Sequence, residues 1–189
     1  MNLRIGYGID VHAFSDESGR ALVLGGVTVP GSRGLAGHSD ADAVSHALAD
    51  ALLGAADLGD LGRHFPDTDA RWAGADSLVL LGEVMTMLAG IGYRVVNADC
   101  TVLLDAARLS PYTAEMGERL ARVVGAPVSV KATRAEGLGA IGRSEGVVCM
   151  ASVLIESDAA PDGAAERDSR GWRTEVPGDG GPAPGDETS

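Results

Sequence analysis

Gly37-His38-Ser39-Asp40-Ala41-Asp42-Ala43-Val44-Ser45-His46-Ala47-Leu48-Ala49-Asp50 is the stretch around which the chain is organised. Ser39 followed three residues later by Asp42 has the form of a capping box, which predicts a helix that begins at Ser39 and runs toward Gly54. Side chains four apart share a helix face, so Asp42, His46 and Asp50 are expected in one column with the imidazole in the middle. Such a column suits either a metal ligand flanked by carboxylates that orient it or an ordinary core histidine. The free N–H groups at the start of the helix also favour a phosphate near His38.

Working outward, Leu3 to His12 has the pattern of a strand. Asp10 and His12 are two apart on it, so both face one side of the sheet while Val11 faces the other. With His46 they make a set of one carboxylate and two imidazoles, which are zinc-type ligands that leave a fourth position open; an Asp–His ion pair at a strand end is the simpler alternative. Ala21 to Pro30 reads as two short extended segments broken by Gly25-Gly26. Leu78 to Ala89 and Thr113 to Val124 repeat apolar residues at helical spacing, while Tyr93 to Leu104, Pro127 to Thr133 and Gly146 to Ile155 are strand-like. Strands separated by helices of this length predict an α+β (or α/β) domain, a sheet covered by helices.

Two glycine-rich loops add chemistry. Asp57 to Asp69 follows the helix and carries acids and glycines, fit to meet hydroxyls or a cation or to serve as a solvated connection. Lys131 to Gly146 combines glycine N–H groups with Lys131, Arg134 and Arg143, which is phosphate-binding material.

Composition narrows the classes. The 189 residues are 45% apolar with a formal charge of −12, which fits a globular domain and argues against a nucleic-acid surface. No apolar run approaches the roughly 20 residues of a membrane span, and Met1-Asn2-Leu3-Arg4 leads into strand pattern without a signal-peptide core, so a cytoplasmic setting is expected. The two cysteines, Cys100 and Cys149, lie in apolar runs and read as buried free thiols. From 157 to 189 there are eight acids, three arginines, six glycines and four prolines with almost no apolar periodicity. That segment reads as a disordered tail, which leaves 1–156 as the folded domain.

Taken together, Arg4-Ile5-Gly6-x-Gly8-x-Asp10-Val11-His12, Gly37-His38-Ser39-Asp40-x-Asp42 with His46, Leu58-Gly59-Asp60-Leu61-Gly62, Phe65-Pro66-Asp67-Thr68-Asp69 and Gly142-Arg143-x-Glu145-Gly146 resemble the 2-C-methyl-D-erythritol 2,4-cyclodiphosphate synthase family. The resemblance implies a homotrimer with sheets around the threefold axis and active sites at subunit interfaces. It implies conversion of 4-diphosphocytidyl-2-C-methyl-D-erythritol 2-phosphate to the cyclic diphosphate and CMP, a lyase step of non-mevalonate isoprenoid biosynthesis. Asp10, His12 and His46 would then hold Zn2+ or another divalent transition metal. Glu136 would bind Mg2+ or Mn2+ bridging the phosphates. Asp10, His12, His38 and Ser39 would touch substrate, with His38 and Arg134 acting on the diphosphate. Asp60, Leu61 and Gly62 would meet the erythritol, and Phe65, Pro66, Asp67, Thr68 and Asp69 its 2-phosphate end. Leu104, Ala106, Ser110, Thr133, Arg134, Ala135, Glu136, Ala140 and Arg143 would form the cytidine and phosphate pocket.

The chain departs from the family on that last side. Thr133-Arg134-Ala135-Glu136 replaces Thr-Thr-Thr-Glu, Ala106-Ala107-Arg108 replaces Ala-Pro-Lys, Ala140-Ile141-Gly142-Arg143 replaces Phe-Thr-Gly-Arg, and Ser144 stands where glycine is usual. A second reading is therefore a diverged zinc-binding paralogue with a binding or regulatory role or another diphosphate substrate.

Overall fold

The computed structural model describes residues 2–158. The alternating pattern read from the N-terminal segment becomes β1 (Asn2–Ala13). A turn at Gly25-Gly26 joins β2 (Leu22–Leu24) to β3 (Val27–Val29), as the doubled glycine predicted, and both glycines have the positive φ that such a turn needs. The remaining elements are α1 (Ala43–Ala55), α2 (Leu61–His64), a 3-10 turn at Ala70–Trp72, α3 (Ser77–Gly90), β4 (Tyr93–Leu103), α4 (Thr113–Val124), β5 (Val128–Thr133), α5 (Gly139–Gly142) and β6 (Gly146–Ser157). The sheet order is β1-β6-β4-β5, antiparallel except for the parallel β4–β5 pair, with β2–β3 as a separate hairpin. This is a mixed α+β fold.

Helices cover one face of the sheet only. On that face α1 lies directly on β1, because Gly6 and Gly8 carry no side chain: a Cβ on Gly6 would sit 1.9 Å from Ala51 O, and one on Gly8 2.2 Å from Ala47 O. Every α1 residue except His46, Asp50 and Gly54 is buried, so the helix is core on all sides but one stripe. The opposite face of β1 presents Leu3, Ile5, Tyr7, Ile9 and Val11, each at least half exposed. The expected covering by helices is thus one-sided.

The structure corrects one boundary. The central helix begins at Ala43, not Ser39, because Asp42 is its N-cap. That carboxylate is fully buried and accepts five hydrogen bonds: from Val44 N and Ser45 N at 3.1 Å each, Ser45 Oγ at 2.8 Å, Gly25 N at 2.7 Å and Gly26 N at 2.6 Å. A buried charge needs such a set of donors, and this one ties the β2–β3 turn to the helix start. At the other end, Ser157 is the last residue of β6 and Asp158 pairs with Arg94 at 3.2 Å, next to the expected limit at 156. The rest of the expected tail, 159–189, lies outside the described residues.

Candidate metal centre and nucleotide pocket

Close packing of α1 on β1 brings His46 over Asp10 and His12. Their ligand atoms all lie within 4.8 Å of one another: His12 Nε2 is 3.0 Å from Asp10 Oδ2, and His46 Nδ1 is 3.3 Å from His12 Nε2 and 3.6 Å from Asp10 Oδ2. The three side chains are 24%, 18% and 11% exposed in the order Asp10, His12, His46, so the cluster is sheltered yet reachable. His12 Nδ1 lies 2.7 Å from Ala36 O, and since a carbonyl only accepts, that nitrogen carries the proton. Nε2 of the neutral ring then offers a lone pair toward Asp10 Oδ2, so in this tautomer the ring gives that buried oxygen no proton. Convergent lone pairs around a buried carboxylate oxygen fit a cation, and the nitrogen and oxygen donor set fits a divalent transition metal.

A proton can take the cation's place. Hydrogen bonding to Asp10 raises the His12 pKa against the opposing effect of burial. For Asp10, burial disfavours the charge, but hydrogen bonds from His12 and His46 and their positive charge outweigh it and hold the pKa at about 2. Burial pushes the Cys100 thiol up to about 12 and that of Cys149 well above its ordinary value, so neither serves as a thiolate ligand.

The expected carboxylate column does not orient His46. Asp42 is consumed as the helix cap, and Asp50 Oδ1 accepts from Leu61 N at 3.1 Å. The distal nitrogen of His46 instead meets Ser77 Oγ at 2.9 Å and Ser39 Oγ at 3.3 Å, and Ser77 bonds Asp40. Ser77 opens α3 and is 37 residues from Asp40 in sequence, which is why no local pattern pointed to it.

The loop bearing His38 is held by Arg20, whose Nη2 donates to Gly37 O at 3.1 Å and Ser39 O at 2.5 Å, and by Gly74 N, which donates to His38 O at 2.8 Å. His38 itself is exposed. Beyond α1, Asp60 caps α2 by accepting from Arg63 N at 2.9 Å, with Leu61 and Gly62 in that helix. Phe65 packs edge-on against Trp72 with centroids 5.0 Å apart, Asp69 pairs with Arg71, and Pro66, Asp67 and Thr68 lie between them. The Asp57–Asp69 loop is therefore partly helical, because Asp60 caps α2 within it, and Asp69 at its end caps the 3-10 turn that follows.

On the far side of the sheet, Leu104, Ala106, Ser110, Thr133 and Arg134 line one cavity of about 480 Å³. Asp105 forms part of its wall, with a side chain only 6% exposed. It accepts from Ala135 N at 2.7 Å and Arg134 Nε at 3.2 Å, a role the sequence did not signal. Ala135, Glu136, Ala140 and Arg143 are not among the lining residues. Glu136 is exposed at φ 51°, outside the Asp10, His12 and His46 group; Ala140 lies in α5, and Arg143 pairs with Glu145 at 2.6 Å.

Both halves of the site share one end of the sheet. Val11 pairs with Val148, Val148 with Leu103 and Leu103 with Thr133, so one row runs from the metal centre to the cavity. At ~4.8 Å per strand spacing, the two outer strands are about 14 Å apart.

A family model described as the YgbB family matches residues 3–156, the whole of this fold. The chain belongs to the YgbB family. Relatives of this YgbB chain include the 2-C-methyl-D-erythritol 2,4-cyclodiphosphate synthases of Syntrophobacter fumaroxidans, 54% identical over 82% of this chain and 99% of that protein, and of Salinibacter ruber, 55% identical over the same shares. Among solved structures, a 2C-methyl-D-erythritol-2,4-cyclodiphosphate synthase in a CDP-bound form is 39% identical, with TM-score 0.73 over 81% of this chain and all of that one. The bifunctional IspDF of Campylobacter jejuni is 37% identical with TM-score 0.78 over 82% of this chain, which spans 42% of that longer chain. No helix of the described residues is long and apolar enough to cross a membrane.

Proposed function

We infer that this YgbB chain is a 2-C-methyl-D-erythritol 2,4-cyclodiphosphate synthase. The observation that carries the reading is the Asp10, His12 and His46 cluster sharing a sheet end with a cavity at the positions expected for cytidine, in a chain over half identical to synthases of that name. In the reaction, an oxygen of the substrate's 2-phosphate bonds to the β-phosphorus while the α–β phosphoanhydride bond breaks and CMP leaves. The chemistry needs two repelling anionic groups brought into line, more than it needs covalent help from the protein. Zn2+ held by Asp10, His12 and His46 would supply positive charge to a phosphate oxygen, and Glu136 would carry Mg2+ or Mn2+ for the phosphates. His38 and Ser39 meet the diphosphate from a loop braced by Arg20, and Asp60 to Gly62 and Phe65 to Asp69 receive the erythritol phosphate. Leu104 to Ser110 and Thr133 hold cytidine, and Arg134 donates charge to phosphate where relatives use a hydroxyl.

Two features support a homotrimer. The metal centre and the cavity lie near opposite margins of one sheet, so a substrate that bridges neighbouring copies completes the site, and the open apolar face of β1 suits burial against other subunits. Buried free thiols suit a reducing, cytoplasmic setting, and a charge of −12 suits neither nucleic acid nor an anionic membrane surface.

Purified protein given the cytidylyl substrate with zinc and magnesium is expected to release CMP, with the cyclic diphosphate visible by phosphorus NMR, and a chelator should stop it. Zinc-loaded protein that yields no CMP would overturn the catalytic reading in favour of a binding paralogue.

A further inference from the structure

We propose that Ser77 and Asp40 are positioning residues that lock the tautomer of His46 so that its Nδ1 lone pair is presented to the metal. The inference rests on the metal-site reading above. Asp40 is an acceptor on both oxygens: Oδ1 takes the Ser77 hydroxyl and Asp42 N at 3.2 Å, and Oδ2 takes Ser77 N at 3.2 Å. With its hydroxyl proton committed to a carboxylate, Ser77 Oγ has only lone pairs left for His46 Nε2, 2.9 Å away. That nitrogen must therefore be the donor, and the neutral ring carries its proton on Nε2. Ser39 Oγ stands 3.3 Å from the same nitrogen and already accepts from Ala41 N, so it is the weaker partner. The result is a one-way chain in which each proton points toward Asp40, and the unprotonated Nδ1 faces Asp10 and His12.

The two metal histidines are thereby fixed by different means. His12 is set by a backbone carbonyl, Ala36 O, in its own neighbourhood, and presents Nε2. His46 is set by a side-chain relay from α3 and presents Nδ1. Ser77 is 1% exposed, so water cannot substitute for the hydroxyl without rearrangement. Through Ser77, the start of α3 is coupled to metal occupancy.

Four proteins test this: wild type, Ser77→Ala, Asp40→Asn, and Ser77→Thr, which restores the hydroxyl. Zinc affinity is read by competition with a chromophoric chelator, and His46 is read in the metal-free protein by nitrogen NMR of its imidazole. The wild type should show the Nε2–H form, and both Ser77→Ala and Asp40→Asn should lose its dominance and bind zinc roughly 10- to 100-fold more weakly. Cobalt-loaded Ser77→Ala should show an altered ligand-field spectrum, and Ser77→Thr should recover affinity. A wild-type His46 protonated on Nδ1, or a Ser77→Ala protein with unchanged tautomer and affinity, would overturn the relay. If no variant and no wild type binds zinc, the metal reading falls, while the tautomer measurement still decides the relay. Should either variant fold poorly, the wild-type NMR result alone suffices.

Discussion

The proposed metal centre and nucleotide pocket occupy the same end of one sheet but are built differently. At the metal side, the ligands project from the last residues of a long strand and the first turn of a long helix whose backbones are in direct contact through Gly6 and Gly8. At the other side, the pocket is made by segments after β4 and β5, and Arg134 in its wall is exposed and held by the Asp105 carboxylate. Packing fixes the first region, whereas hydrogen bonds and ion pairs arrange the second. The first therefore tolerates little change, while the second can vary.

The contrast is broken most severely by Gly8→Ala. The added carbon would meet Ala47 O at 2.2 Å, so α1 must move off β1 and carry His46 with it. We expect a loss of about 3 kcal/mol in urea unfolding and a large fall in zinc affinity. A variant with wild-type stability and metal content would show that the helix–strand contact is softer than the geometry implies.

A smaller effect, confined to the other region, is expected from Arg134→Ala. Removing a charged donor should weaken CDP binding by about tenfold, equivalent to roughly 1.4 kcal/mol, and leave zinc content unchanged. Calorimetric titration with CDP beside metal analysis separates the two. Loss of zinc in this variant would mean that the two regions are not independent.

The smallest effect belongs to Ser144→Gly. Ser144 sits at φ 59°, a left-handed conformation that costs a side-chain-bearing residue about 1 kcal/mol, part of which glycine's greater unfolded freedom cancels. A gain of about 0.5 kcal/mol by thermal unfolding is expected, with CDP and zinc binding as in the wild type. A loss of stability would show that the serine side chain supports the turn.

What was legible in the sequence follows the same division. Alternation along Leu3 to His12 placed Asp10 and His12 on one side of a strand, and helical spacing supplied α3, and α4 to the residue, because each pattern is local. The short helices α2 and α5 were not legible, being single turns without an apolar period. Asp42 misled for a physical reason: the same residue type caps a helix or orients a histidine, and only the position of Gly25 and Gly26 in space settles which.

By itself, then, the sequence determined the order of the strands and the three long helices, the ligand types and the family pattern, since these are written in residue identity and near-neighbour spacing. Tertiary structure alone decided that Ser77 and Asp40 reach His46, that helices of the described residues cover only one sheet face, and that the Asp10, His12 and His46 group and the cavity share an end. Those facts depend on contacts between residues far apart in the chain, and such contacts are set by how the helix and sheet surfaces pack, for which no local pattern carries a signal.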